Sequence, residues 1–513
     1  MARRQWPGSD VARTRSKARM VSEGGERTDG HEMGGAGEEV GVSGAVAGMK
    51  RKKGGEEEGG DVSNDAVGPS EKAVKRPWAP REGGEKVVRL PGRKVKVAML
   101  FGYMGKGYSG LVRNAGVRTV EDALVEGLVA AGIVESFNAA DLSKLGWSVC
   151  GRTDKGVSAL ANLVAFKAIL HPENDVPAVV ERLNEHLPPE IRCWALRRVS
   201  KKFNARRECG ARTYDYVLPK AAVAELSPLY ESVYRRYAAR CGLSAETKPA
   251  TAGKGEGLER FKRALKGLEG THLFHNFTVG VKGADPSAKR YIVSFDVLEE
   301  AASYCGVECV TVRVKGQSFM LHQIRKMLGL ATVIARGQAP ESILGVALNR
   351  EAFVPVPMVP ETGLFLNQPH YTAWNDRIGE DNRKTKPIGG YDRIDLALHD
   401  KGGEGARGCV SAFREDVLVR HIGSTEAAHL AAKEGRGTPS PVPPEEADKG
   451  IDKEAEREME KKKEKEKEKD NRSFLGWCEM MDRVRWDYYK IAADGGLSKG
   501  SGELRDAAVT ASE

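Results

Sequence analysis

The stretch from Trp147 to Phe166, WSVCGRTDKGVSALANLVAF, decides both the fold and the candidate chemistry of this chain. Two apolar segments typical of strands flank a short polar corner, and that corner carries one acid, Asp154, between Arg152 and Lys155. The glycine that follows Lys155 permits a sharp or left-handed turn. A surface ion cluster would explain the charges but not the apolar flanks. The pattern therefore raises the question whether Asp154 is a reactive group.

The local pattern is compatible with two roles for Asp154. In an extended chain Arg152 and Asp154 project to the same side, because side chains alternate. A fixed guanidinium keeps a neighbouring carboxylate ionised and able only to accept hydrogen bonds. That state suits a nucleophile or an electrostatic stabiliser, and does not suit a general acid. A structural loop ion pair would use the same residues, so the heptapeptide alone leaves both roles open.

Composition narrows the class of protein. The chain has 513 residues, of which 40% are hydrophobic and 30% charged, and its net charge is +9. This length allows two or three domains, and the positive charge is a weak indication of a polyanionic partner. The sequence contains no apolar run of 18 residues, so we expect no transmembrane helix and no membrane partner. The scattered cysteines indicate free thiols and no metal site.

The pattern of apolar residues predicts folded and disordered zones. Glycine, lysine and glutamate dominate the N-terminal zone, and a charged tract, KKKEKEKEKD, dominates part of the C-terminal one. Such segments cannot bury enough apolar surface to fold. The predicted zones are a disordered tail (1–93), an N-terminal half (94–243), an inserted loop (244–257), a C-terminal half (258–376), and a mostly disordered tail with a short terminal apolar segment (377–513).

The N-terminal tail carries two possible targeting signals. Its first twenty residues, MARRQWPGSDVARTRSKARM, resemble a mitochondrial transit peptide in charge bias. The cluster Lys50-Arg51-Lys52-Lys53 resembles a nuclear localisation signal. The sequence therefore predicts the nucleus, the mitochondrion or both. A solvated basic tail without a targeting role is the alternative for each signal.

Periodicity predicts an α+β fold. Strand-like segments include KVKVAMLFGY, WSVCG, ANLVAFKAIL, RTYDYVLP, YIVSFDVLE and ECVTVRVKG, and helix-like segments include VEDALVEGLVAAGIV, VPAVVERLNEHL, GLERFKRALKGLEG and SFMLHQIRKMLGLATVIARG. Thr119 and Asp122 suit a capping box at the start of the first helix. The order lacks regular β-α-β alternation, which favours largely antiparallel sheets flanked by helices.

A basic run leads into one of these strands. Residues 191–212, IRCWALRRVSKKFNARRECGAR, hold eight Arg or Lys against one acid and include Trp194 and Phe203. Basic residues contact phosphates and aromatic faces stack on bases, so the run favours a nucleic-acid partner over a solvated charged face. Period two then places Arg212, Tyr214 and Tyr216 on one strand face. We expect at least one of the two tyrosines to be a buried packing residue.

A second basic segment has the spacing of a helix. In GQSFMLHQIRKMLG, a helix starting near Ser318 would place Ser318, His322 and Arg325 on one stripe. No acid occurs between residues 311 and 335, so Arg325 must find a distant carboxylate or phosphate, or reach solvent. Asp154 is a candidate partner. A helix is predicted here, with Arg325 near the active site.

Histidines His272 and His275 are spaced three residues apart, in GTHLFHNFT. A metal could bind such a pair, but no acidic or cysteine companions lie nearby in sequence. The pattern favours a turn that orders an active-site wall or touches RNA. We therefore predict no metal at this place.

Six blocks in this order resemble the TruA family of tRNA pseudouridine synthases: GYMGKGYSGLVRNAG, CGRTDKGVSAL, FNARRECGARTYDYVLP, GTHLFHNFT, GQSFMLHQIRKMLG and ETGLFLNQPHY. The wording of HNFT and SFMLHQIRKM is most similar to the eukaryotic pseudouridine synthase 1 branch. The resemblance spans residues 94–371 and neither tail. One departure occurs in the first block, where Ser109 stands in place of a histidine found in many relatives.

The resemblance implies a two-domain pseudouridine synthase that isomerises uridine to pseudouridine in tRNA, with other structured RNAs as further candidates and without a cofactor. It makes Asp154 the catalytic aspartate, paired with a catalytic Arg325. Arg152 would hold or flip the target nucleotide, and Tyr214 would stack on the uracil. Arg212, His275 and His322 complete the predicted substrate-binding set.

Some alternatives stay open at this point. Asp154 could attack C1′ of the ribose, attack C6 of the base, or initiate proton removal at C2′. A catalytically silent RNA-binding or RNA-folding protein on the same scaffold is the alternative function. The sequence does not decide the oligomeric state.

Overall fold

A nine-stranded sheet organises the residues that the computed structural model describes, namely 92–170, 176–224, 256–384, 391–394, 404–433, 473–483 and 488–496. The strands are β1 (Arg93–Tyr103), β2 (Ser148–Val149), β3 (Ser158–Leu170), β4 (Ile191–Arg198), β5 (Ala211–Pro219), β6 (Gly270–Leu273), β7 (Lys289–Tyr304), β8 (Val307–Gly316) and β9 (Leu364–His370). Their spatial order is β4-β1-β3-β9-β5-β8-β7-β6, and β2 pairs with β3.

Pairing within the sheet is largely antiparallel. Of the described strand pairs only β3 and β9 run parallel, with Ser158 opposite Phe365. The predicted α+β class and largely antiparallel pairing are therefore confirmed. Strand β9 comes late in the sequence yet lies between β3 and β5, so one continuous sheet joins both predicted halves. Residues 244–255 of the predicted inserted loop lie outside the described residues, and the domain boundaries stay a prediction.

Helices cover the sheet. They are α1 (Val120–Ala130), α2 (Ser136–Ala139), α3 (Val176–His186), α4 (Ala221–Ala224), α5 (Glu256–Lys266), α6 (Gln323–Ala335), α7 (Ile343–Leu348), α8 (Thr372–Lys384), α9 (Glu404–Ala412), α10 (Arg420–Lys433), α11 (Phe474–Arg483) and α12 (Tyr488–Ala493). Short 3₁₀ turns occupy His275–Phe277 and Pro286–Ala288, and a π-helical segment spans Phe413–Val419. The capping box at Thr119 and Asp122 is confirmed.

Strand β1 shows how the core is divided. Its side chains alternate between two apolar clusters, with Val97, Met99 and Phe101 in the larger one and Ala98 and Leu100 in a second one on the opposite face. Both faces of the sheet are therefore covered at this point. This explains why β3 is almost entirely buried and has a nearly continuous apolar sequence.

Helix α6 begins at Gln323, later than the sequence predicted. His322 precedes it in the left-handed region, with φ 62°, and a residue in that region cannot continue a right-handed helix. The Gln323 side chain instead accepts a hydrogen bond from the Met320 backbone N–H at 2.8 Å. The predicted helical stripe that included Ser318 is therefore wrong, because residues 317–322 form a non-helical segment.

Part of the C-terminal tail is folded, although the sequence predicted a mostly disordered tail. The Glu426 carboxylate on α10 accepts hydrogen bonds from the backbone N–H groups of Phe474 (2.6 Å) and Leu475 (3.1 Å), which satisfies the start of α11. Trp477 is buried, and the Tyr488 hydroxyl donates to the Pro355 carbonyl. The terminal apolar segment thus packs on the body of the protein. The charged tract lies outside the described residues.

Among the described helices, none combines the length and the apolar character that crossing a membrane requires.

Candidate active site

A cavity of about 1250 Å³ opens beside the loop between β2 and β3 and the start of α6. Three segments line it: the loop that carries Asp154, the basic run before β5, and residues 317–325. Among the described residues that line the cavity, Asp154 is the single carboxylate, against five arginines. The arginines are Arg152, Arg206, Arg207, Arg212 and Arg325. A concave, cationic site with one acid suits a polyanionic ligand and a reaction that needs one ionised carboxylate.

Buried side chains from the sheet hold the loop that carries Asp154. The Tyr103 hydroxyl on β1 shares a hydrogen bond of 2.8 Å with the Thr153 hydroxyl. The Asn162 side chain on β3 donates to Tyr103 (3.3 Å) and to the Gly151 carbonyl (3.0 Å). Asn162 and Tyr103 are fully buried, so this network fixes the backbone on both sides of Arg152.

A tight turn follows Asp154. Gly156 has φ +76°, which favours glycine, and a Cβ there would lie 2.7 Å from Cγ of Glu361. The Val157 backbone N–H donates to the Asp154 carbonyl at 3.2 Å and closes the turn. The turn therefore depends on glycine both for its conformation and for the close approach of Glu361.

The structure corrects the expected partner of Asp154. His322 lies within ion-pair distance of Asp154, with 3.8 Å between His322 Nε2 and Asp154 Oδ2. Arg152 lies in the same loop but is exposed and is not paired with Asp154. The Asp154 side chain is 28% exposed, so its carboxylate is reachable from the cavity.

Arg325 pairs with Glu361. The predicted pair between Arg325 and Asp154 is therefore wrong. The Arg325 Nη2 donates to Glu361 Oε2 and its Nε to the Val359 carbonyl, each at 2.7 Å. The Arg325 guanidinium therefore points towards the segment before β9. Arg325 nevertheless lines the cavity, and its partner Glu361 packs against the Gly156 turn.

His322 has an electrostatic environment that keeps it neutral. Burial lowers the pKa of its imidazole below the ordinary value of 6.5; Asp154 opposes that shift, and Arg325 and Lys326 add to it. At neutral pH the ring is therefore uncharged, with one nitrogen that donates and one that accepts. A neutral imidazole leaves the negative charge of Asp154 available.

Tyr214 forms an aromatic wall. Its ring meets the Phe319 ring edge-on, with 5.3 Å between centroids, and both residues line the cavity. Burial raises the pKa of Tyr214, so its phenol stays protonated. Tyr216, on the same strand face, is fully buried and donates to the Pro360 carbonyl at 2.8 Å. Tyr216 is the packing tyrosine that the sequence predicted.

The arginines divide into structural and exposed groups. Arg212 is buried and donates to the carbonyls of Gln317 (2.7 Å) and Cys150 (2.8 Å), so it ties two lining segments together. Arg152, Arg206 and Arg207 are exposed; we call these three residues the basic rim. Because these three side chains are exposed, the basic rim can contact a phosphate backbone without breaking a buried interaction.

The structure does not bring His275 to the cavity. His275 is buried in a 3₁₀ turn, where its Nε2 lies 3.0 Å from the Ala352 carbonyl oxygen, and Asn276 bonds the same carbonyl. Within the described part of the chain, no cluster of three or more His, Cys, Asp or Glu has the arrangement of a metal site. His275 contributes to packing between the turn and residues 347–352.

The sequence did not predict two residues at the site, Glu361 and Leu321. Glu361 lies in the block ETGLFLNQPHY, and its only sequence signal is an acid next to a glycine turn. Leu321 lies between residues assigned to a helix, so its exposure was not expected. Asp154, Arg152, Tyr214, Arg212, His322 and Arg325 line one cavity, as their proposed roles require.

Comparison with known proteins gives consistent matches. Residues 264–372 match the family described as tRNA pseudouridine synthase. The chain is 39% identical to Pseudouridylate synthase 1 homolog of Mus musculus over 342 residues, which cover 66% of this chain and 71% of the relative. The identity to the Homo sapiens homolog is 37% over 373 residues, covering 72% and 77%.

The name of a yeast relative specifies positions in tRNA. The tRNA pseudouridine(27/28) synthase of Saccharomyces cerevisiae is 31% identical over 327 residues, which cover 55% of this chain and 85% of the relative. The matches span most of each of these three proteins.

Proposed function

The chain belongs to the TruA family of tRNA pseudouridine synthases, and on this premise we propose that it isomerises uridine to pseudouridine in tRNA with Asp154 as the essential carboxylate. The observation that carries the proposal is the cavity itself, in which Asp154 is the single acid among the described lining residues and five arginines line the same cavity. The reaction is an isomerisation, so no group donor or electron acceptor enters its balance.

The chemistry requires an accessible, ionised carboxylate. The bond between N1 and C1′ breaks, the uracil turns, and C5 joins C1′; C5 then loses a proton and N1 gains one, so the atoms balance. A carboxylate can stabilise or attack the electron-poor centre that forms when the glycosidic bond breaks. Asp154 is accessible because its side chain is partly exposed in the cavity, and the neutral ring of its neighbour His322 does not form a full ion pair with it.

The remaining residues position the nucleotide. A uridine must leave its stack to reach Asp154, which costs a few kcal/mol that contacts with the protein offset. Tyr214 and Phe319 offer an aromatic surface for the uracil, and neutral His322 offers a donor and an acceptor beside Asp154. The fixed loop around Arg152 keeps the carboxylate in place during extrusion.

Binding of tRNA rests on the basic rim. Exposed Arg152, Arg206 and Arg207 can neutralise phosphates, and aromatic faces within the cavity can take up a base. The same features would accept other structured RNAs. Because one relative is named for positions 27 and 28 of tRNA, we propose these positions as the first targets to examine.

The experiment combines conversion and binding. Purified protein and its Asp154→Ala variant are incubated with unmodified tRNA transcripts, pseudouridine is mapped at each position, and tRNA affinity is measured at several salt concentrations. We expect conversion by the wild type, no conversion by Asp154→Ala, and similar affinity for both. A wild type that binds with steep salt dependence but converts no transcript would replace the enzyme with an RNA-binding protein.

Delivery to the nucleus or the mitochondrion belongs to the same proposal. Its support is the charge pattern of residues 1–20 and of Lys50–Lys53, which lie outside the described residues. A fluorescent fusion with each segment deleted in turn would test both signals. Unchanged distribution after either deletion would contradict the corresponding signal.

A further inference from the structure

We propose that Leu321 is an apolar wedge that fills the gap left in the RNA stack when the target uridine enters the cavity. This inference rests on the proposed function, because it assigns a residue to the extrusion step of that reaction. Leu321 lines the cavity, yet the residue is 54% exposed, the highest exposure among the large hydrophobic residues of the described part.

The segment around Leu321 is anchored on both sides. The Gln317 carbonyl accepts from Arg212 at 2.7 Å, and the Phe319 ring packs against Tyr214. The Met320 backbone N–H is bonded to the Gln323 side chain at 2.8 Å. Gln317, Ser318 and Leu321 are the exposed residues of this segment, and Leu321 is the apolar one among them. Because the backbone on both sides of Leu321 is bonded to the protein, its exposure is not that of a loose loop.

The backbone next to Leu321 is strained. His322 adopts φ 62°, which is unfavourable for a residue other than glycine and persists only where the surroundings enforce it. This conformation turns the chain between Leu321 and α6. It places the His322 ring 3.8 Å from Asp154 while the preceding side chain, Leu321, points away into solvent.

This geometry matches the needs of base extrusion. When the uracil lies beside Asp154 and His322, the neighbouring bases lie at the mouth of the cavity, where Leu321 and exposed Arg152 stand. An apolar side chain between base pairs replaces lost stacking without reading sequence. Arg152 can bind a phosphate of the RNA backbone, and Leu321 can fill the gap in the base stack.

The test compares two RNAs that differ in the cost of extrusion. One is a tRNA transcript with its target uridine base-paired in a stem, and the other is the same transcript with a mismatch opposite that uridine. The variants are Leu321→Ala, Leu321→Met, which keeps an apolar side chain of similar size, and Leu298→Ala. Leu298 on β7 is 49% exposed and lies outside the cavity lining, which makes it a matched control.

We expect Leu321→Ala to lower kcat/KM on the paired substrate by about tenfold and on the mismatched one by much less. Leu321→Met and Leu298→Ala should stay near the wild type on both RNAs. A 2-aminopurine next to the target should brighten on binding to the wild type and less on binding to Leu321→Ala. Melting temperatures should agree within about 2 °C, because the substitutions are on the surface.

Three results would overturn the wedge. Equal kcat/KM of Leu321→Ala and the wild type on the paired RNA would show that the side chain is not used. An equal loss on both RNAs would show a general contact without a role in extrusion. A wild type inactive on both RNAs would overturn the proposed function together with the wedge, whereas the first two results leave the proposed function standing.

Discussion

The cavity has two walls that are built in opposite ways. The Asp154 wall, residues 150–157, is held by buried strand residues such as Tyr103 and Asn162 and by a glycine turn. The Leu321 wall, residues 317–322, is held at its ends and presents an exposed leucine. The comparison indicates that the reactive group is fixed from within the core, whereas the residue that would meet RNA is displayed on a strained but anchored segment.

Glu361 joins the two walls. It receives a charged hydrogen bond from Arg325, which follows the Leu321 wall, and it packs against Gly156 of the Asp154 wall. Substitutions at this junction and within each wall can therefore separate stability from catalysis.

The largest loss of stability is expected at the junction. Arg325→Ala leaves Glu361 without its partner, and the Arg325 side chain is only 9% exposed. Breaking such a pair should lower the free energy of unfolding by about 3 kcal/mol, measured by chemical denaturation. The matched control is Arg263→Ala, whose pair with Glu341 has the same 2.7 Å distance but is about half exposed.

The control should cost at most about 1 kcal/mol because water screens exposed pairs. Equal losses for Arg325→Ala and Arg263→Ala would contradict a structural junction between the walls.

The Gly156 turn should show the next largest effect. An alanine at Gly156 must adopt a positive φ and displace Glu361, which we expect to cost about 2 kcal/mol of unfolding free energy. Gly116→Ala has a similar φ of +78° with no neighbour within 4 Å, so only the conformational cost remains, about 1 kcal/mol. Thermal unfolding of both variants measures the difference. A larger loss for Gly116→Ala would show that the contact with Glu361 is unimportant.

Removing one hydroxyl tests how the Asp154 wall is held. Tyr103→Phe leaves Thr153 and Asn162 without a shared partner and should lower stability by about 1 kcal/mol. We also expect kcat to fall with little change in KM, since the Asp154 loop loosens. Tyr488→Phe, which removes a buried hydroxyl bonded to the Pro355 carbonyl, should cost similar stability and leave kcat unchanged. Loss of kcat in both variants would point to general destabilisation.

The smallest effect at neutral pH is expected at His322. Burial holds the pKa of this imidazole below 6.5, so the ring gains its charge only below that pH. Once charged, it would pair with Asp154 and withdraw the carboxylate from the reaction. The wild type should therefore lose kcat/KM as the pH falls below about 6.5, and His322→Gln should keep its activity to lower pH. Identical acid limbs for the two proteins would exclude His322 as the titrating group.

The two walls also differ in how far the sequence predicted them. The Asp154 wall follows local rules: apolar strands, a single acid and a glycine corner. The sequence of the Leu321 wall has helical spacing. The Gln323 side chain, however, accepts a hydrogen bond from the Met320 backbone N–H, and His322 adopts a left-handed backbone conformation, so the helix starts at Gln323. The tertiary contacts that hold this segment, from Arg212 to Gln317 and from Tyr214 to Phe319, cannot be read from the spacing.

The sequence also could not predict which side chains pair when they are distant along the chain. The scarcity of acids near Arg325 correctly predicted a distant carboxylate, but the choice between Asp154 and Glu361 depends on where the segment before β9 crosses the cavity. Similarly, His275 has the composition of a site residue, yet the turn that carries it packs on residues 347–352. Periodicity was sufficient to predict the fold class. The pairing of distant side chains could be identified only from the assembled sheet.

The central claim, that Asp154 performs the reaction, is tested most directly by a single-turnover measurement. Wild type and Asp154→Asn are each mixed in saturating excess with tRNA that carries tritium at C5 of uridine, and tritium release is followed as C5 joins C1′. Saturation removes differences in affinity, and asparagine preserves the shape of the side chain. We expect the rate to fall by more than about 10⁴-fold. Release by Asp154→Asn at a rate near that of the wild type would contradict the assignment of Asp154 as the essential carboxylate.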